Sequence, residues 1–312
     1  MLYVLALLGV FGISFSAIFV RLADVSPITA AFFRAAYAVP ALALIWAVQS
    51  RRDARRPPRV PRERVLAFVS GLILAVDLTL WHESIALLGA GLGTVVANVQ
   101  VVFVAAAAWA FHGERPAART WIMIAIVLCG IALTSGLAQP DAYGSNPALG
   151  AIVGLLGGIA YAAFLLVFRA ANASLAPPAA PLLDSTIGAA VGALVCAMFD
   201  PHFALTPVWP AHLWLVLLAL ISQVGGWLLI ATALPRLPSV DTSIMLLGQP
   251  VLTVLWGMWL FDERLSVLQW TGAALVLAGV ATLSWTSSRL VMKRATAESA
   301  VARGGEILLE RR

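Results

Sequence analysis

The deepest carboxylate of this sequence lies inside a long apolar segment. Asp77 stands roughly halfway along the segment 65–88, and Trp81 and Ser84 follow it at helical spacing on the same face. A carboxylate, an aromatic ring and a hydroxyl arranged in this way can bind an ammonium group that carries an aromatic side chain. The alternative is that Asp77 only forms a hydrogen bond between packed helices, and the sequence favours neither role over the other.

Three other ionisable side chains in apolar segments have competing interpretations. His82 and Glu83 begin like a zinc-protease motif, but Ala86 occupies the position of the second histidine, so no metal site is predicted. His82 can form a hydrogen bond with a substrate or titrate near neutral pH, and it is equally well explained as an interfacial residue. Arg34 can pair with an acid or extend its stem towards water, and here a structural role is favoured.

Uncharged polar residues also interrupt the apolar segments. Because an apolar environment offers an amide no hydrogen-bond partner, each of these residues must face other protein groups or a wet cavity. Tyr161 and Trp227 are expected to face the same cavity. The predicted substrate-binding residues are Asp77, Trp81, His82, Asn98, Gln100, Tyr161, Gln223, Trp227 and Gln249. The predicted bend points for gating are Pro235, Pro238 and Pro250.

The elements that must position these residues are membrane-spanning helices. Of the 312 residues, 61% are hydrophobic and only 11% are charged, and the mean hydropathy of +0.94 excludes a water-soluble globular protein. The apolar blocks are about 20 residues long, which suffices to cross a hydrocarbon core of about 30 Å. We predict an all-α integral membrane protein of ten transmembrane helices, near residues 2–20, 28–48, 65–88, 93–112, 119–137, 148–168, 179–199, 211–233, 240–261 and 266–286.

The distribution of basic residues predicts the orientation of these spans. With both termini in the cytoplasm, 17 of the 20 Lys and Arg residues fall in cytoplasmic segments, including the dense run from Arg51 to Arg64. Only Arg21 and Arg264 fall outside, and Arg34 falls within a span. The net charge of +5 therefore indicates topology and contact with anionic lipid, and a nucleic-acid partner is excluded.

The chain also carries an internal duplication. Gln100 pairs with Gln249, Glu114-Arg115 with Glu263-Arg264, and Trp121 with Trp270, all at one offset. We predict two repeats, 1–137 and 148–287, joined by a periplasmic linker at 138–147 and followed by a cytoplasmic tail at 288–312. Because each repeat has five spans, the two cross the membrane in opposite senses, an arrangement typical of carriers that bind substrate near the midplane and work by alternating access.

The last hairpin resembles a known transporter family. The residues Gly248-Gln249-Pro250, the run from Gly257 to Leu265 and the run from Gln269 to Gly272 are similar to EamA-type members of the drug/metabolite transporter superfamily. Length, aromatic-rich spans and the basic loop are most similar to YddG-like bacterial exporters of aromatic amino acids. That resemblance implies a bacterial inner-membrane location. Where EamA repeats often have a proline after the first-half Gln, this chain has Val101, so we expect that helix to be less kinked than the Pro250 helix.

Three functions remain open at this point. The favoured one is a monomeric secondary transporter that exports small amino acid-like metabolites, with aromatic ones preferred through the resemblance. The second is a proton-coupled multidrug or metabolite pump, for which Asp77 is the one qualifying carboxylate. A membrane-embedded enzyme is disfavoured because the sequence has no nucleophile–base pair, metal cluster or nucleotide-binding loop, so neither a cofactor nor ATP is predicted.

Overall fold

The computed structural model describes residues 2–52, 59–112, 118–136, 139, 141–172, 177–233 and 239–283. Regular structure within these residues is entirely helical, which confirms the all-α prediction. The first-half helices are α1 (Leu2–Ser14), α2 (Ser16–Ala23), α3 (Pro27–Arg52), α4 (Pro61–Leu88), α5 (Ala90–Ala97), α6 (Gln100–His112) and α7 (Ala118–Thr134). The second-half helices are α8 (Pro147–Ala171), α9 (Ala179–Ala197), α10 (Ala211–Leu217), a π-helical segment (Leu218–Gly226), α11 (Trp227–Ala233), α12 (Ser239–Phe261) and α13 (Val267–Leu283).

Six helices of the described residues are long and apolar enough to cross a membrane. They are Leu2–Ala23, Pro27–Arg51, Pro61–Leu88, Pro147–Ala171, Ala179–Ala197 and Ala211–Thr232. Shorter apolar helices follow at Ala90–Val104, Ala118–Thr134 and Val267–Leu283. The predicted count of ten spans and the orientation of the termini remain predictions.

Helix starts follow local sequence signals. Pro27, Pro61 and Pro147 each occupy the first position of a long helix, where the missing N–H has no intrahelical partner to lose. Asn146 caps α8, because its side-chain oxygen accepts a hydrogen bond from the Leu149 amide at 3.2 Å. These signals fix where the long helices begin, and therefore which residues they carry to mid-helix.

The expectation about the first-half helix near Gln100 is wrong. The predicted span 93–112 is two helices, since Asn98 and Val99 form a turn with i→i+3 hydrogen bonds between α5 and α6. By contrast, α12 continues through Pro250 without such a break. The turn packs directly on α8, because a Cβ added to Gly158 would meet the Val99 side chain at 2.5 Å.

Helices of the two halves pack backbone to backbone. A Cβ on Gly71 of α4 would lie 1.9 Å from the Ser185 carbonyl oxygen of α9, and one on Gly188 would lie 2.1 Å from the Phe68 oxygen. On α8, Gly150 and Gly154 lie close to the Leu88 and Ser84 side chains of α4, at 2.8 and 2.7 Å from an added Cβ. Glycines permit such close contact because they place no side chain between the helices. The interface between α4 and the helices α8 and α9 therefore has almost no free space.

The π-helical segment interrupts a long apolar helix between α10 and α11. Ser222 in this segment donates a hydrogen bond to the Gly12 carbonyl at 3.0 Å, which ties the segment to α1. A π-helical turn rotates the following side chains relative to an α-helix and often occurs at functional sites. Gln223 lies within this segment and is buried, with 2% of its surface exposed.

Candidate functional site

Two opposite charges lie buried where the halves meet. Asp77 of α4 is 6% exposed and Arg34 of α3 is 4% exposed. The carboxylate of Asp77 interacts electrostatically with Arg34 and with Tyr161 of α8, so the three groups share one region of the interior. In the described part of the chain no Arg34 nitrogen lies within 4.0 Å of an Asp77 oxygen. The two charges therefore interact electrostatically without forming a direct ion pair.

Arg34 is held in a fixed orientation. Its Nε donates a hydrogen bond to Oε1 of Gln223 at 2.8 Å, and its guanidinium lies 5.9 Å from the centre of the Trp81 ring. Its Nη1 is buried and has no hydrogen-bond partner among the described residues. Sequence reasoning left open that Arg34 extends towards water, and this alternative is wrong. An unpartnered donor on a buried charge is costly, which marks Arg34 as a candidate site residue that the sequence reasoning ranked too low.

Aromatic rings surround this pair of charges. Tyr161 stacks on Phe164 with ring centres 5.7 Å apart, and Phe164 meets Trp227 edge-on at 6.1 Å. Trp81 and Phe164 belong to the same buried apolar cluster, and Tyr161 and Trp227 pack against it. The expectation that Tyr161 and Trp227 face the region of Asp77 agrees with this arrangement, although their role in binding stays a prediction.

His82 sits one residue beyond Trp81 and faces a cavity. Its Nδ1 donates a hydrogen bond to the Pro27 carbonyl oxygen at 3.1 Å, and its buried Nε2 has no partner among the described residues. The cavity beside it has a volume of about 450 Å³ and is also lined by Arg21, Ile85 and Tyr143. A volume of this size is in the range of small-molecule sites.

The remaining predicted residues lie elsewhere or bond locally. The Asn98 side chain donates a hydrogen bond to the Thr94 carbonyl of the preceding helix α5 at 2.8 Å. Oε1 of Gln100 is buried without a partner among the described residues. Gln249 lies on α12, where the neighbouring Gly248 faces Val10 of α1. None of the hydrogen bonds of the described residues joins these three side chains to Asp77 or Arg34.

Of the predicted bend points, one lies within the described residues. Pro250 is buried inside α12, where its missing N–H leaves one position of the helix without a hydrogen bond. Pro235 and Pro238 lie outside the described residues. The role of all three in gating stays a prediction.

A second buried charge lies in the connection between α12 and α13. Glu263 is 2% exposed, and its carboxylate oxygens accept hydrogen bonds from the Ala90 amide at 2.7 Å and the Gly91 amide at 3.1 Å. Arg21 of α2 forms an ion pair with Glu263 and donates a hydrogen bond to the Tyr143 hydroxyl at 2.9 Å. We call these five residues the Glu263 latch. A carboxylate suits this place because the free amides at a helix N-terminus carry partial positive charge.

Glycines and a buried glutamine complete the latch. A Cβ on Gly257 would lie 2.4 Å from a Glu263 oxygen, and Gly89, at φ +95°, leaves room for the Tyr143 ring. Gln269 is fully buried, accepts from the Tyr143 amide at 2.9 Å and donates to the Tyr143 carbonyl at 3.0 Å. The latch thus joins α2 and α5 of the first half to the α12–α13 connection of the second.

The sequence analysis used Glu263 only as a marker of the internal duplication. Its repetition with Glu114 was the signal that could have singled it out, because a buried carboxylate is conspicuous in a hairpin. Arg264, the other half of that motif, is exposed and pairs with Asp262 at 2.8 Å. The two residues of the motif therefore have different environments.

No group of three or more His, Cys, Asp or Glu side chains in the described ranges could hold a metal ion. The polar groups near Asp77 instead offer one carboxylate, one guanidinium and amide or hydroxyl groups within an aromatic enclosure. Such a set can bind an organic ion by charge, hydrogen bonds and ring contacts.

Comparison with known proteins assigns the chain to a family. Residues 1–136 and 148–295 match the EamA-like transporter family. The uncharacterized transporter YwfM of Bacillus subtilis (strain 168) is 26% identical over 239 residues, which is 75% of this chain and 77% of that protein. A crystal structure that is 16% identical aligns with a TM-score of 0.57 over 93% of this chain and 98% of that one, and so shares its fold. The chain is a multi-pass membrane transporter that belongs to the EamA-like transporter family.

Proposed function

We propose that this protein is a secondary transporter that exports small amino acid-like metabolites, with aromatic side chains preferred, across the bacterial inner membrane. The observation that carries the proposal is the buried pair of Asp77 and Arg34, which lies among aromatic rings where the two halves meet. Charges inside a membrane protein are costly and usually line a substrate pathway. The resemblance to YddG-like exporters adds the aromatic preference and the direction of transport.

The mechanism we propose is alternating access between two inverted halves, residues 1–137 and 148–287. Substrate binds beside Asp77, and the aromatic rings of Trp81 and Tyr161 contact its side chain. The cavity next to His82 is also lined by Arg21 and Tyr143 of the Glu263 latch. In this mechanism the latch closes that face when the halves are together. Because the latch joins both halves, opening on its side requires that its bonds break.

The test is counterflow in liposomes that contain the purified protein as a monomer. Preloaded unlabelled phenylalanine should drive uptake of labelled phenylalanine, and aliphatic amino acids should compete more weakly. If no amino acid gives counterflow while a sugar or nucleobase does, the assignment of substrate class is wrong. Empty liposomes measure the passive leak of each compound.

The alternative function is proton-coupled efflux of drugs or metabolites. The buried carboxylate of Asp77 is the observation that favours it, since a proton carrier needs a titratable group in the path. Under this alternative, Asp77→Asn abolishes the dependence of transport on pH. A pH profile that Asp77→Asn leaves unchanged removes this function.

A further inference from the structure

We propose that Arg34 and Asp77 together select zwitterions, with Arg34 binding the carboxylate and Asp77 the ammonium group of one substrate molecule. The proposal rests on the proposed function and specifies how its site recognises an amino acid. It makes Arg34, which the sequence reasoning favoured as a structural residue, a determinant of specificity.

The hydrogen bonding of Arg34 is the first argument. The guanidinium carries donors in a planar fork that matches a carboxylate. Nε is used by Gln223 at 2.8 Å, which orients the fork, whereas the buried Nη1 has no partner among the described residues. A substrate carboxylate that accepts from Nη1 would supply the missing bond, and a bond of this kind between charged groups is short and strong.

The separation of the charges is the second argument. A purely structural pair of buried charges is stabilised by direct contact, because each ion then replaces the water that the other has lost. Arg34 and Asp77 interact electrostatically, yet none of their polar atoms approach within 4.0 Å in the described part of the chain. An α-amino acid carries its two charges on adjacent positions, so it can neutralise both residues at once.

The surroundings give the third argument. Trp81 lies against the Arg34 guanidinium, and Tyr161 is electrostatically coupled to both charged residues. A Cβ added to Gly157 of α8 would meet the Trp81 and Asp77 backbone at ordinary contact distances of 3.5 and 3.7 Å, so this part of the site is less tightly packed than the glycine contacts nearby. A substrate whose ends are held by Arg34 and Asp77 would place its side chain among these rings, which agrees with an aromatic preference.

The experiment compares three compounds that share one ring. L-Phenylalanine has both charges, phenethylamine lacks the carboxylate, and 3-phenylpropionate lacks the ammonium group. In liposomes the wild-type protein should transport phenylalanine at least about tenfold faster than either analogue, since each lost contact leaves a buried charge unpaired. Wild-type protein that transports phenethylamine as well as phenylalanine overturns the proposal without any variant.

Variants then assign the two contacts. Arg34→Gln should reduce phenylalanine transport about tenfold or more while phenethylamine transport stays the same. Asp77→Asn should likewise reduce phenylalanine transport, while 3-phenylpropionate transport stays the same. Arg34→Lys keeps the charge but loses the fork, so its loss should be smaller than that of Arg34→Gln.

Arg59→Gln is the matched control, because Arg59 is held by Asp184 at 2.7 Å at the start of α4, away from these residues. It should leave the ratio of phenylalanine to phenethylamine transport unchanged. If Arg34→Gln lowers transport of all three compounds equally, Arg34 is structural and this inference falls while the proposed function stands. If wild-type protein moves no amino acid at all, the proposed function itself falls.

Discussion

Replacing Glu263 with Gln is expected to open the Glu263 latch. The substitution keeps the shape of the side chain but removes the charge that pairs with Arg21. It also places an NH₂ group where one oxygen now accepts from the Ala90 or Gly91 amide. Removing one partner of a buried ion pair costs about 3–5 kcal/mol. Because the Arg21 side chain is 31% exposed and partly screened, we expect about 2–4 kcal/mol.

This free energy corresponds to a roughly 30- to 700-fold shift towards the open form. The shift can be measured as the rate at which a cysteine within the latch reacts with a membrane-impermeant maleimide. Ala90 is fully buried, so Ala90→Cys reports opening once Cys129 and Cys196 have been replaced. When closing is faster than labelling, the rate follows the open population, and Glu263→Gln should raise it by at least about 30-fold.

Asp262→Asn provides the matched control. Asp262 precedes Glu263 but is exposed, and its partner Arg264 is exposed as well. Its φ of +51° is one that Asn adopts readily, so the backbone should be unaffected. The labelling rate should equal that of the wild type. Equal rates in wild type and Glu263→Gln, or equal acceleration by both variants, would refute the argument.

Three further predictions concern packing and binding. Gly188→Ala should lower the melting temperature in detergent, because its Cβ would lie 2.1 Å from a backbone oxygen and overpacking costs about 1–3 kcal/mol or more. Gly157→Ala is the control, and it should change the melting temperature little because the neighbours of its Cβ lie at 3.5 Å or beyond. Tyr161→Ala should raise the KM for phenylalanine roughly 2- to 10-fold more than that for valine, since an aromatic contact is worth about 0.5–1.5 kcal/mol. Trp259→Ala, at an exposed position, should change neither KM, and an equal effect of both variants would contradict the binding role. Gln269→Leu should release the Tyr143 backbone and speed labelling of Ala90→Cys, and an unchanged rate would show that Gln269 does not support the latch.

Composition and period predicted the helical fold well, because only helices satisfy their own backbone in an apolar environment. The break at Asn98 was not predictable from its own helix. No proline or glycine in residues 94–112 signals it, although the turn lies against Gly158 of a helix far along the chain.

The site was predicted in part. Asp77 was found because a carboxylate deep in an apolar segment is conspicuous by itself. Arg34 and Glu263 were ranked lower because their significance depends on their partners. One is oriented by Gln223 and the other caps α5, and both partners lie far away in sequence.

The central claim is that the two halves cross the membrane in opposite senses. The Glu263 latch and the basic segment from Arg51 to Arg64 then lie on opposite faces of the membrane. Single cysteines at Arg62 and Ser145, in a background without Cys129 and Cys196, test it directly in intact cells. A membrane-impermeant maleimide should label Ser145→Cys at once and Arg62→Cys only after the membrane is permeabilised. Labelling of both positions from the same side would contradict the inverted arrangement.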